Sequence, residues 1–241
     1  GMVEFTTDAA EQATLWKLRK GMYPSVAAVR AKGTTAMLED VAVPLEQLGA
    51  AVTGLHALFA QYKYDNAIIF GHAKEGNLHF LITQPVQQPE ELDVFKRFND
   101  DLAQLIIGKL NGSLKAEHGT GRVVAPYVKE EWGEAAYKVM CALKQLVDPH
   151  NLLNPGVIIN SDTACHLKHM KPMPVVEEEV DKCVECGYCE NRCPSRDFTM
   201  TPRQRIQVRR ALQRLKQEGR MEEHAALVKA YQYSGLDTCA V

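Results

Sequence analysis

Four cysteines fall within residues 183–193, as Cys183-x2-Cys186-x2-Cys189-x3-Cys193, and Pro194 closes the run. No other feature limits more tightly what this part of the chain can fold around. Intervals of two residues let three thiolates converge on the irons of one cubane, the arrangement that holds a [4Fe–4S] cluster. The fourth cysteine, set back by one more residue and followed by proline, is of the kind that reaches a second cluster. Structural zinc favours paired Cys-x2-Cys knuckles across a longer gap. Disulfides favour short secreted chains, and this one has 241 residues. An iron–sulfur role is therefore the leading expectation, with electrons moving one at a time. Cys239, near the end of the sequence, is expected to open a second ligand motif that is cut short, so Cys193 would serve a cluster this stretch cannot complete.

Composition narrows the rest. A net charge of −2 gives no reason to expect a nucleic-acid partner or a strongly cationic membrane face. No apolar run approaches the roughly 20 residues of a transmembrane helix, leaving peripheral association as the one membrane contact open. No leader peptide is read at the start, which makes the cytoplasm, or the inner face of its membrane, the expected location. Gly1-Met2 reads as a cloning scar. Apolar content of 46% suits a well-cored globular chain.

The pattern of the first 160 residues is that of an α+β domain. Thr7 or Asp8 caps a helix to about Lys20; Thr34 to Val43 is a strand; Pro44 starts a helix with Leu45, Leu48, Val52, Leu55 and Phe59 on one face. Asn66 to Ala73 and Leu78 to Thr83 form a hairpin around Lys74-Glu75-Gly76-Asn77. Glu90 to Leu110 is an amphipathic helix, and Ser113 to His118 a last strand. The order is β-α-β-β-α-β, a ferredoxin-like sheet, with a further helix over Glu130 to Val147 to cover it. Residues 161–180 read as a linker, and residues 181–241 as a truncated, all-α iron–sulfur domain whose helices start at Pro202 and Met221. Arg203, Arg205, Arg209, Arg210, Arg214 and Lys216 read as a solvated basic helix face.

A second constellation lies in the sheet. If Ala73 faces Leu78 across the hairpin, His72 faces His79, with Cβ atoms about 4.5–5.5 Å apart. Two imidazoles at that spacing can share a divalent metal, or simply be strand residues. Glu117, at the end of the last expected strand, adds a carboxylate and makes a three-ligand site with open positions, as catalytic metals require. His118 beside it is a candidate general base. The alternative is a polar strand end followed by the turn Gly119-Thr120-Gly121.

Taken in order, Gly71-His72, Gly76-Asn77-Leu78-His79, Glu117-His118-Gly119-Thr120-Gly121 and Asn154-Pro155-Gly156 resemble the C-terminal domain of FAD-linked 2-hydroxyacid dehydrogenases of the vanillyl-alcohol-oxidase type. That group oxidises D-lactate, glycolate and D-2-hydroxyglutarate. The resemblance implies zinc or manganese on His72, His79 and Glu117, a base at His118, a substrate-carboxylate arginine at Arg19 with Tyr23 one turn further, and a flavin-facing asparagine at Asn154. Where D-2-hydroxyglutarate members carry a lysine and an asparagine for a second carboxylate, this chain has Met37-Leu38-Glu39-Asp40 and Leu81, which points to a monocarboxylate such as D-lactate. Fusion to a helical ferredoxin segment is also met in bacterial members.

The activity so implied is oxidation of a small D-2-hydroxy acid to the 2-oxo acid. FAD takes the hydride, and electrons leave through [4Fe–4S] clusters on Cys183, Cys186, Cys189, Cys193 and Cys239 towards a quinone or cytochrome. The sequence has no Gly-rich phosphate loop after a strand, so most flavin contacts are expected upstream and the chain alone is expected to be inactive. The rival expectation is a non-catalytic electron-transfer or scaffold subunit of a larger dehydrogenase complex.

Overall fold

The structure is a computed structural model that describes residues 6–239; Gly1-Met2 and Ala240-Val241 lie outside the described residues. Contacts divide the chain into two compact units. One runs from Thr35 to Pro172. The other combines the residues before Thr35 with those from Met173 onward, so the first helix groups with the cysteine run and not with the sheet.

The first unit is built on three antiparallel strands, β1 (Thr35–Ala42), β2 (Ile68–His72) and β3 (Asn77–Gln84), in the order β1-β3-β2. α2 (Leu48–Gln61), α3 (Pro89–Ala103) and α4 (Val128–Val147) accompany it. Alternation along the strands sets one face against the helices. Met37 and Val41, Leu78, Phe80 and Ile82, and Ile69 meet Leu55, Phe59, Phe95, Phe98 and Ile106 in one core. Phe59, Phe80 and Phe98 form an aromatic centre with ring centroids 5.8–6.4 Å apart, within the range where aromatic pairs add to burial. The opposite face carries Asp40, His79, His72 and Phe70. Helix α3 starts with Pro89, and Glu91 accepts from the amides of Gln87 and Gln88 at 2.7 and 2.9 Å. A π-helical stretch, Gln104–Lys109, extends it. Helix α4 is interrupted at Gly133 (φ 78°, ψ 163°).

Two sequence expectations are corrected here. The fourth strand, Ser113 to His118, is reduced to a single bridge between Ala42 and Ser113. The amides that follow all find side chains, Leu114 on Glu131, Lys115 on the Ser113 hydroxyl, and Ala116, Glu117 and His118 on Asp40, so no ladder continues and the β-α-β-β-α-β pattern stays incomplete. The hairpin register also differs. His72 pairs with Asn77, and Phe70 with His79, because the four-residue connection lies one position earlier, as a 3₁₀ turn over Ala73–Glu75 closed by Gly76.

Gly76 is required at that turn. It takes φ 65°, and a Cβ there would meet the Val43 carbonyl oxygen at 2.1 Å. Gly76→Ala should cost on the order of 2–5 kcal/mol, from left-handed strain plus the clash with backbone. Chemical denaturation checks this; a midpoint equal to that of the wild type would remove the turn from the fold's requirements.

The second unit contains α1 (Ala9–Ala28), the short α5 (Glu178–Asp181), α6 (Pro202–Gln217) and α7 (Met221–Tyr231). Helix α1 runs past the expected end at Lys20 and includes Pro24; Asp8 caps it, accepting from the Glu11 amide at 2.8 Å. Thr201 and Gln204 cap α6 reciprocally, followed by Pro202. Two of the six basic residues of α6 leave the expected solvated face, while Arg214 and Lys216 stay exposed on it. Arg205 and Arg210 are 8% and 5% exposed. Arg210 donates to the carbonyls of Val180 and Cys183 at 2.9 and 2.7 Å and pairs with Glu185 at 2.7 Å. A guanidinium has five donors in a rigid fork, which allows it to be buried where loop carbonyls need partners. No described helix is long and apolar enough to cross a membrane.

Candidate metal and redox sites

Strand β3 supplies the centre of the first site. His79 is 3% exposed, and β1 sets Asp40 directly opposite it. His72, at the end of β2, lies diagonally across from His79 on the same face, their ring centroids 5.3 Å apart. The diagonal serves as well as direct opposition, because neighbours one pleat apart share a face and long side chains span the gap.

The loop after the Ala42–Ser113 bridge returns Glu117 to this face. Its Oε1 lies 2.9 Å from His79 Nε2 and 3.4 Å from His72 Nε2. These three donors form one set with all ligand atoms within 4.8 Å of one another. His79 forms the floor, while His72 and Glu117 are 44% and 52% exposed at the rim. Two imidazoles and a carboxylate suit zinc or manganese, and a three-protein-ligand set leaves coordination positions open. Burial, and then the neighbouring His118, holds the His79 imidazole below its ordinary pKa, which favours the neutral form a metal needs.

His118 stacks on His79, with centroids 4.8 Å apart and planes 10° from parallel. Its Nδ1 lies 3.8 Å from Asp40 Oδ1. Gly119 follows at φ 75° with open space where a Cβ would stand, so the backbone turns away without crowding the site. Burial also lowers Lys115 to about 8; its ammonium pairs with Glu39 and stands 3.9 Å from Asp40 Oδ1. Leu38 and Leu81 are cross-strand partners one step along the same face.

The other expected residues lie elsewhere. Arg19 and Tyr23 are on α1, in the unit that holds the cysteine run. Tyr23 is raised above the ordinary phenol range by burial and then by Cys186, and the Tyr188 hydroxyl donates to the Lys20 carbonyl at 3.1 Å. Asn154, at φ 45°, lines a cavity of about 540 Å³ with Thr120, Trp132, Leu143, Val147 and Ile158.

Cys186, Cys189 and Cys193 line a cavity of about 940 Å³. Among the described residues no three cysteines bring their sulfurs within 4.8 Å of one another. Cys183 Sγ accepts from the Glu185 amide at 3.4 Å. Arg205 Nη1 lies 3.8 Å from Cys193 Sγ, while its other nitrogens donate to the carbonyls of Gly235 and Thr238 at 2.7 and 3.3 Å. Burial raises the Cys193 thiol, but hydrogen bonds from Ser195 and Arg205 outweigh it and the thiol sits below its usual range. Arg205 thus places one charge between Cys193 and the segment that leads to Cys239. Arg30, on the loop after α1, also donates to the Cys183 carbonyl at 3.1 Å.

Sequence reasoning missed Asp40, Arg30, Arg205 and Arg210. Asp40 carried one signal, a second carboxylate next to Glu39 and so on the opposite strand face from it; the arginines carried none beyond their number.

Residues 1–158 match the family model for FAD linked oxidases, C-terminal domain. The chain is 35% identical over 159 residues to the glycolate oxidase subunit GlcD of Bacillus subtilis, covering 65% of this chain and 33% of that relative. It is 31% identical over 162 residues to D-lactate dehydrogenase [cytochrome] 1, mitochondrial, of Saccharomyces cerevisiae, covering 66% and 27%. It is 30% identical over 158 residues to a D-2-hydroxyglutarate dehydrogenase of Xanthomonas citri pv. viticola, covering 64% and 32%. The chain spans about a third of the length of these relatives.

Proposed function

This chain belongs to the family of FAD linked oxidases, C-terminal domain, and from that premise we propose that it is the substrate and metal part of a flavin-dependent dehydrogenase that oxidises a small D-2-hydroxy acid to the 2-oxo acid. The observation that carries the reading is the convergence of His72, His79 and Glu117 with His118 stacked beside them.

Oxidation of a 2-hydroxy acid removes a proton from the hydroxyl and a hydride from the α-carbon. A divalent cation held by His72, His79 and Glu117 would lower the hydroxyl pKa, and FAD, when bound, supplies the hydride acceptor. His118 takes the hydroxyl proton on a ring nitrogen. Arg19 is assigned to the substrate carboxylate, as a two-point clamp with Tyr23 beside it. Asn154 is assigned to the flavin. Exposed Trp132, Leu143, Val147 and Leu153 around it support that role, since an apolar face of this kind suits a covering partner. No Gly-rich phosphate loop follows a strand among the described residues, so no pyrophosphate contact is assigned.

The substrate we favour is a monocarboxylate, D-lactate. Leu38 and Leu81 support it: paired across the strands beside the Asp40–His79 row, they offer no charge to a second carboxylate. The electron exit is assigned to the cysteine run, towards a quinone or cytochrome. Cavity-lining Cys186, Cys189 and Cys193, with the cationic Arg205 beside Cys193, fit thiolate ligation of an iron–sulfur group.

Metal analysis tests the reading. One zinc or manganese per chain is expected, lost in His72→Ala, together with iron and acid-labile sulfide lost in Cys186→Ser. With a flavin-binding segment joined to the chain, D-lactate should reduce an artificial acceptor faster than D-2-hydroxyglutarate does. A metal-free chain of unchanged fold would favour the electron-transfer or scaffold reading.

A further inference from the structure

Asp40 is the most completely buried carboxylate of the sheet unit, at 0% exposure; it stands outside the His72–His79–Glu117 set but forms a second close donor group with His79 and His118, sharing His79 with the first. A carboxylate removed from water needs several donors to stay charged. Oδ2 has three. It accepts from the successive amides of Ala116, Glu117 and His118 at 3.2, 2.6 and 3.1 Å. Three consecutive N–H groups turned towards one oxygen form an anion-binding concavity. Here the anion is the protein's own side chain, supplied by β1.

Oδ1 makes no hydrogen bond, although it is buried. Two donor-bearing groups approach it, His118 Nδ1 at 3.8 Å and Lys115 Nζ at 3.9 Å. Lys115 is already engaged with Glu39. A small rotation of the His118 ring completes a hydrogen bond from Nδ1–H to Oδ1 and satisfies the orphan oxygen. That bond selects the tautomer whose Nε2 carries the free lone pair, as an acceptor on one ring nitrogen always does.

We propose that Asp40 is the positioning residue of this site: one carboxylate oxygen gathers the Ala116–His118 backbone so that Glu117 meets His72 and His79, and the other fixes His118 in the Nδ1–H form with Nε2 turned to the substrate. This rests on the assignment of His118 as base and of His72, His79 and Glu117 as ligands, and it extends that assignment to the element that holds the two together. It also contributes to the missing fourth strand: after the Leu114 and Lys115 amides turn to Glu131 and Ser113 Oγ, the next three are taken by Asp40.

The test begins on the wild-type chain, which avoids a variant that fails to fold. Two-bond ¹⁵N–¹H correlation should show His118 in the Nδ1–H tautomer, and amide exchange at residues 116–118 should be slowed well beyond that of an open loop. An Nε2–H tautomer, or unprotected amides, overturns the proposal. Asp40→Asn keeps the size of the side chain but halves its acceptor capacity. It should weaken zinc or manganese binding by roughly 10–100-fold, the usual effect of losing a group that orients metal ligands, and populate the other tautomer of His118. Equal metal affinity in a folded Asp40→Asn chain also overturns it. A wild-type chain that binds no metal would instead defeat the ligand assignment, while the tautomer and the amide protection still decide the role of Asp40.

Discussion

Replacing His79 by alanine is expected to abolish stoichiometric metal binding. His79 supplies the only buried donor of the set, its Nε2 is 2.9 Å from Glu117, and its ring is flanked by both His72 and His118. Zinc bound by four protein ligands is worth about 10–16 kcal/mol at neutral pH, so one ligand carries roughly 3–4 kcal/mol, or about 10²–10³-fold in affinity. Competition against a chelating dye measures this. His56→Ala, an exposed histidine on α2, should leave the affinity unchanged and serves as the control. Loss of affinity in both variants, or in neither, would refute the assignment. The metal-free chain has a pH signature of the same residue. With the His79 pKa depressed by burial and then by His118, the unfolded chain binds a proton near pH 6.5 that the folded chain refuses. Stability therefore falls as pH drops through and below that value, and His79→Ala should flatten the decline.

His118→Ala should slow the chemical step by about 10²–10⁴-fold in the chain joined to a flavin-binding segment, the usual contribution of a general base. His118 is 31% exposed and stacks on a proposed ligand without being needed in its three-donor set. Metal content should therefore survive the substitution while turnover collapses. Single-turnover reduction of the flavin by D-lactate separates this from slow product release. Turnover equal to that of the wild type would move the base to another residue; a parallel loss of metal would make His118 a ligand.

Much of the sheet unit was legible because its signals are local. Pro44 ahead of an amphipathic helix, Gly76 in a hairpin and apolar runs in β1 and β3 each act within a few positions. The hairpin register was misjudged because register depends on turn geometry, and nothing local separates a four-residue turn over residues 74–77 from one over residues 73–76. The error did not disturb the metal set, since His72 and His79 keep the same face in either register. The fourth strand was misjudged for a different reason. Ser113 to His118 has strand-like character, yet its last three amides are captured by a side chain 76–78 positions earlier, which no local pattern encodes.

The same division explains α6. Its arginines read as a solvated stripe because composition reports charge but not the carbonyls that charge will meet; Arg205 and Arg210 are buried against loops whose backbone groups would otherwise lack partners. What the sequence determined by itself was the supply of chemistry: four closely spaced thiols, two histidines within one hairpin, and a Glu-His-Gly triplet whose donor types suit a divalent cation. What only the tertiary structure decided was which of these meet, and what orients them. Convergence of His72, His79 and Glu117 needs three separate segments brought to one sheet face, and their alignment depends on Asp40, a residue whose buried charge can be satisfied only after the distant loop has folded over it.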